Sequence, residues 1–212
     1  MKKGFVLVVL FVFPLVAYLF FASGVNNFGR LPVLTQNIAD LERFGTEVNL
    51  EGKITILGFL GNEIELKKGN AFNLNQKIYK RFGKFKDFQM VMIVPKGNGN
   101  EEKVESLKIE LGALSDIEKW FFVFVETSEI KSFFQHLKTD KTLDENLSTP
   151  YVFIIDKELN LRGRTDDEDE GVKYGFNTTS VADLNNKMED DVKIILAEYR
   201  LALKKNNADR SK

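Results

Sequence analysis

Cysteine is absent from all 212 residues. That absence excludes thiol catalysis, disulfides, zinc ribbons, iron–sulfur clusters and any cysteine ligand to copper. Histidine occurs once, at His136, so one chain cannot assemble a multi-histidine metal site. Proline is scarce, at 4 residues, which argues against a long disordered linker. Neither sign of charge dominates: 30 Lys plus Arg stand against 31 Asp plus Glu. Bulk charge therefore offers no reason for nucleic-acid binding. Apolar residues are plentiful, at 43% with 19 Phe, enough for one sizeable core. The phenylalanines fall on strands and helix faces, so core packing accounts for them better than a ligand pocket does.

One apolar run stands apart. No charged side chain occurs from Gly4 to Gly29, and Phe5 to Ala22 is apolar throughout. At about 1.5 Å per residue these residues span about 27 Å as a helix, close to the hydrocarbon thickness of a bilayer. Fourteen of them are Leu, Val or Phe. On an insertion scale they favour the membrane by about 4 to 8 kcal/mol. Pro14 weakens the helix without reversing that balance. Lys2 and Lys3 precede the run and only Arg30 follows it closely, so the positive-inside bias keeps the N-terminus cytoplasmic. The globular part is then extracytoplasmic (periplasmic). Residues 1–23 read as a single-pass transmembrane anchor. The competing reading is a cleaved signal segment, with Ala22-Ser23-Gly24 near the cut. Residues 24–30 form a tether, and residues 206–212 a polar tail.

Between tether and tail the patterning alternates. Lys53 to Leu60, Phe88 to Val94, Phe121 to Val125 and Tyr151 to Asp156 are apolar, β-branched or aromatic runs that read as buried strands. Leu161 to Arg164 returns as a hairpin partner, with Asn160 in the left-handed turn position. Leu74, Ile78 and Phe82 lie at helical spacing with Gly83 as the C′ residue. Val104, Leu107 and Leu111 mark a second helix. Ile130, Phe133, Phe134 and Leu137 mark a third, capped by Ser128. Ser180 caps a final helix whose inner face carries Val181, Leu184, Met188, Val192, Ile195 and Tyr199, running out at Lys204-Lys205. This order predicts an α/β domain with a largely parallel central sheet, helices on both faces and an antiparallel edge.

The order, with Thr149-Pro150 before an apolar strand that ends in Asp156, resembles the thioredoxin fold. Within it, the membrane run, Gly52 to Phe59, Ser148 to Asp156 and the Leu161 to Arg164 return resemble the SCO/SenC family of membrane-anchored, thioredoxin-like proteins. The resemblance covers about residues 31–203, and residues 31–205 are taken as one thioredoxin-like domain. It implies a central mixed sheet flanked by helices, and a place near respiratory oxidase assembly. It also implies a Cys-x-x-x-Cys pair after the first core strand and a distal His, for copper or thiol chemistry. Here the matching stretch, Leu60 to Gly69, holds Asn62, Glu63, Glu65, Lys67 and Lys68, and Ser148-Thr149 occupies the approach to the later strand. Thr149-Pro150 takes the place of the family's cis-proline loop. Read from the residues alone, it is an ordinary trans proline at a strand start.

These features favour a non-enzymatic binding or assembly-accessory protein with no cofactor. It would dock a protein or peptide partner through Gly61, Asn62, Glu63, Thr149 and Pro150, in the groove beside Gly61 to Gly69. Two other readings stand beside it. Metal handling through oxygen donors would use Glu63 or the acidic run Asp166 to Glu170, in which Asp166, Glu168 and Glu170 sit at EF-hand-like positions ahead of Gly171. The twelfth-position glutamate of such a loop is Asn177 instead, and a solvated, self-repelling loop is the plainer reading. The third is a thiol-independent enzyme, but Glu63, Glu65, Lys67 and Lys68 align with no nucleophile. His136 lies about 120° from the apolar face of its helix, which makes it a surface residue.

Overall fold

The computed structural model describes residues 2–22 and 29–209. The predicted tether at 24–30 therefore lies largely outside the described residues, as does the end of the polar tail. The apolar run forms a helix, α1 (Lys2–Ala22), with Pro14 inside it. Several of its side chains, among them those of Phe5, Val8 and Ala17, are also outside the described set. Among the described residues no helix is long and apolar enough to cross a membrane, so the transmembrane anchor expected at residues 1–23 is not shown by them.

The core strands fall where the apolar runs predict, each shifted by a residue or so. They are β2 (Ile54–Phe59), β3 (Phe88–Pro95), β4 (Trp120–Val125) and β5 (Tyr151–Ile155). Before them comes the short β1 (Val33–Thr35), and after them β6 (Leu161–Arg162) and β9 (Phe176–Asn177). The sheet order is β1-β6-β5-β2-β3-β4, with β9 also paired to β5. β2, β3 and β4 pair in parallel, whereas β5 lies antiparallel to β2 and to β6. Parallel neighbours need crossovers, and the helices supply them.

The first crossover is longer than the Leu74 to Phe82 spacing implies. It starts at α2 (Ile64–Leu74), passes through a π-helical turn at Asn75–Tyr79 and ends in α3 (Lys80–Phe82). The stretch from Leu60 to Gly69 that the resemblance matches to the Cys-x-x-x-Cys segment is thus helical from Ile64. Glu65, Leu66, Lys67 and Lys68 are all good helix formers, and Glu65 pairs with Lys68 at 2.6 Å. Gly83 is right-handed, not the left-handed C′ residue expected, and an added Cβ there would collide with Tyr79. α4 (Asn100–Gly112) links β3 to β4, and α5 (Thr127–His136) follows β4. Its N-cap is Glu126, without a side-chain bond, in place of Ser128.

The closing helix is α6 (Val181–Asp183), a π-helical turn Leu184–Met188 and α7 (Glu189–Asp209), so it continues past Lys205. Ser180 caps it as predicted, its side chain accepting from the Asp183 N–H at 3.1 Å. Leu184, Met188, Val192 and Ile195 are buried, but Val181 is exposed. α2, α3, α4 and α7 cover one sheet face. On the other face α5 and the Ile38–Leu50 stretch enclose Phe59, Phe133, Phe134 and Phe153. Phe59 packs edge-to-face on Phe134 at 5.1 Å between ring centres.

The acidic run departs from its expected form. It is the turn of a second hairpin, β7 (Arg164–Asp167) with β8 (Gly171–Lys173). Lys187 bonds Asp167 at 2.7 Å and Asp169 at 2.6 Å, while Lys141 bonds Glu170 at 2.6 Å and Lys173 also holds Glu170. Opposite charges from three segments neutralise what local sequence presents as self-repulsion. In the tighter turn before β6, Leu159 and not Asn160 is left-handed, with φ 60°. The Asp156 carboxylate accepts from the N–H groups of Glu158 and Asn160, at 3.0 and 2.8 Å, and so fixes the turn.

Candidate functional site

β2 ends at Phe59, and the chain beyond it is bound at once to the approach to β5. Leu60 and Ser148 form an antiparallel bridge, and Thr149 N donates to Phe59 O at 3.2 Å. Asn62 N donates to Asn146 O at 2.9 Å. Gly61 lies between these contacts with φ +67°. An added Cβ there would strike the Asn146 carbonyl oxygen and come within 2.7 Å of Ser148 Cβ. Only glycine allows both the left-handed backbone and the close approach. The structure thus brings Gly61 and Asn62 together with the Asn146–Thr149 segment that precedes Pro150.

Asn62 is the hub of a polar cluster. Its Oδ1 accepts from Asn98 Nδ2 at 3.2 Å and from Asn100 Nδ2 at 3.0 Å. Asn100 is fully buried and its Nδ2 also donates to Pro95 O at 2.9 Å. Lys103, one turn into α4, directs its Nζ to Asn98 O, Asn100 Oδ1 and Asn62 O at 3.1, 3.3 and 3.4 Å. A buried carboxamide is costly to leave unpaired, so this network holds the loop rigidly.

A second clasp holds the opposite side. Asp144 accepts from the N–H groups of Asn146 and Ser148, at 3.0 and 2.9 Å, and from Ser148 Oγ at 2.6 Å. Burial raises its pKa, but the bonds from Ser148 and Asn146 and the nearby Lys67 outweigh burial and hold it below its ordinary value of 3.8. Lys67 lies 3.8 Å from Asp144. Beside this clasp runs a groove of about 510 Å³, lined by Phe134 and Leu143 with Lys131, Lys138, Asp144 and Glu145 around them.

The remaining sequence candidates fall differently. Among the described residues there is no cis peptide bond, so Thr149-Pro150 is trans, against the implied cis-proline loop. The Pro150 carbonyl instead anchors Thr178, accepting from its N–H at 2.8 Å and its Oγ1 at 2.6 Å. Glu63 is exposed and its side chain caps nothing. Asp166 and Glu168 are exposed, whereas Glu170 is engaged by two lysines. Among the described residues no three His, Asp or Glu converge as metal ligands. His136 is exposed at the end of α5, with Nδ1 2.7 Å from Ser132 O.

Copper does not fit the stretch that the resemblance matches to its site. The stretch offers no thiolate or imidazole. The Asn62 amide oxygen already accepts hydrogen bonds, Glu65 is paired with Lys68, and Glu63 stands as a single exposed carboxylate. The Lys103 ammonium beside Asn62 repels a cation. Sequence reading missed Asn98, Asn100, Lys103, Asp144 and Asn146. The only local signal was the Gly97-Asn98-Gly99-Asn100 run, which marks a turn ahead of a helix.

No protein-family model and no curated protein matches the sequence. Solved structures do. The chain is similar to BsSco, a member of the Sco family of cytochrome c oxidase assembly proteins, at 12% identity and TM-score 0.53, over 78% of this chain and 97% of that one. It also matches a SCO1/SenC family lipoprotein from Bacillus anthracis str. Ames, at 14% identity and TM-score 0.49, over 82% and 99%. A third match is a putative electron transfer protein from Aquifex aeolicus VF5, at 20% identity and TM-score 0.47, over 79% and 98%. With its mixed central sheet and flanking helices, the chain has a thioredoxin-like fold, and it is one without a single cysteine.

Proposed function

We propose that this chain is a non-catalytic docking protein, a thioredoxin-like domain held at a membrane by its N-terminal helix and displayed outside the cytoplasm. One observation carries the reading. Where thiol or copper chemistry would need free donors, Asn62, Asn100 and Asp144 instead fasten two loops into a rigid, closed platform. A rigid surface beside a groove lined by Phe134 and Leu143 suits an extended segment of a protein partner, because little loop ordering opposes binding. No cofactor is required.

Anchoring is supported by the Phe5 to Ala22 run and by Lys2 and Lys3 before it. On α1, Leu10, Phe11, Phe13 and Tyr18 are each more than 60% exposed, on several faces of the helix, and an all-round apolar helix needs lipid or protein around it. The described role of BsSco in a family of cytochrome c oxidase assembly proteins makes oxidase assembly the first place to look for the partner.

Co-purification from solubilised native membranes tests the proposal. The wild-type chain should retain a membrane protein partner that a folded Asn62→Arg variant loses. Equal recovery by both chains, or recovery by neither, refutes docking through this platform.

A further inference from the structure

β4 is the last strand of the sheet. In its ladder with β3, Met90 N donates to Lys119 O at 2.9 Å and Lys96 N donates to Val125 O at 3.0 Å, with Met90 in register with Trp120 and Pro95 with Val125. This alternation turns the backbone groups of odd-numbered β4 residues toward β3. It leaves the N–H and C=O of Phe122 and Phe124 pointing away from the sheet. Among the described residues nothing pairs with that open side. Phe121, Phe122 and Phe124 are only partly buried, and Ile109 of α4 is 74% exposed next to Phe124. A long apolar edge of this kind templates strand addition unless something blocks it.

The surroundings specify what would add. A groove of about 700 Å³ runs along the edge on the α4 side, with Glu101, Glu102 and Glu105 beside Ile109 and Phe124. Glu118 and Glu126 flank the strand. Lys108 answers Glu105 at 2.6 Å and Lys96 answers Glu126 at 3.3 Å, so the acids remain in excess. A second copy of this chain would bring two such acidic rims together, which disfavours self-pairing. On the α4 face an added strand meets apolar surface and the Lys108 ammonium, which lies over the Phe122 ring and is already paired with Glu105. Glu101 and Glu102 have no basic partner among the described residues, so this face matches Lys or Arg with long aliphatic stems. On the opposite face it meets Phe121 and Val123, a match for β-branched residues.

We infer that the β4 edge is a second docking surface, which takes an extended partner segment of alternating basic and β-branched residues as an added strand. The proposal stands apart from the platform at Asn62, since the two surfaces share no residue. The test uses the full chain in detergent micelles and a fluorescein-labelled peptide of Arg-Val repeats, followed by fluorescence anisotropy. Saturable binding is expected that weakens with added salt. A Glu101→Lys/Glu105→Lys variant, both positions being on the surface, should bind about tenfold more weakly while keeping its circular dichroism. A peptide N-methylated at alternate residues keeps its side chains and charge but cannot complete the ladder, and it should not bind. Equal binding of the methylated and plain peptides overturns strand addition. So does a failure of the plain peptide to bind, or dimerisation of the chain through β4 in its place.

Discussion

Asn100 is fully buried, yet its carboxamide is bonded on both sides, to Asn62 and Pro95 through Nδ2 and to Lys103 through Oδ1. Asn100→Ala takes the donor from the buried Pro95 carbonyl and one of the two donors from Asn62 Oδ1, which keeps its bond from Asn98. It should cost about 1 to 3 kcal/mol in denaturant unfolding, which the fluorescence of Trp120, the sole tryptophan, can follow. Asp144 makes a prediction in pH. Its folded pKa lies below the ordinary 3.8, so the stabilisation it contributes is present above that value and lost as pH falls through the folded one. Asp144→Asn should therefore be less stable than wild type near neutral pH, with the difference shrinking as the pH falls through the lowered folded pKa. A difference that stays constant across the titration would mean that the carboxylate charge is not what holds the clasp. At this scale the sequence was only partly legible. Gly61 and Asn62 are visible as a turn after an apolar strand, but Asn98, Asn100 and Asn146 meet Asn62 across 36 to 84 residues of chain. No local pattern encodes such a meeting.

Strands and helices were easier to read than caps. β2 through β5 are dense apolar runs, and period and length alone identify them. α2 was foreshortened because its start has no Ser, Thr or Asp cap, only Glu63 without a capping bond. The two π-helical turns were also invisible. Asn75–Tyr79 and Leu184–Met188 lie against each other, and each adds a residue to its turn. The wider turn lets Leu184, Met188 and Val192 all stay buried at successive spacings of four. The hairpin β7–β8 was read as a repulsive loop because Lys141 and Lys187, which neutralise it, come from other elements. α5 allows a packing test. Phe133 is wholly buried, with its ring 5.5 Å from Phe44 and 6.2 Å from Phe59. Phe133→Ala should cost about 3 to 5 kcal/mol of unfolding free energy, whereas a change of the exposed His136 to Ala should leave stability within about 0.5 kcal/mol.

For the whole molecule, the fold and the chemistry it hosts separate. The sheet is that of a thioredoxin-like protein, while the loop after its first core strand is tied through Asn62 to Asn100 and the Lys103 ammonium of α4. Calorimetric titration of the full chain with Cu(I) or Cu(II) should therefore give no heat of binding at micromolar metal. A disulfide-reductase assay should give no turnover above buffer. Several carboxylates set the acid limit of the fold. Burial raises the pKa values of Asp167 and Glu170 and, to a lesser degree, of Asp87, but their lysine partners outweigh it and hold all three below the ordinary carboxylate values. Their contributions are lost as pH falls through those lowered values. Asp191 runs the other way, since burial raises its pKa above the ordinary value and its protonation on acidification favours the fold. Docking itself is tested most directly by a photo-crosslinking amino acid placed at Glu63, beside Asn62, in the full chain in native membranes, with the same probe at exposed Glu47 before β2 as the comparison. A platform that docks a partner predicts one discrete adduct from position 63 and none from position 47. No adduct at 63, or the same adducts from both positions, would contradict it.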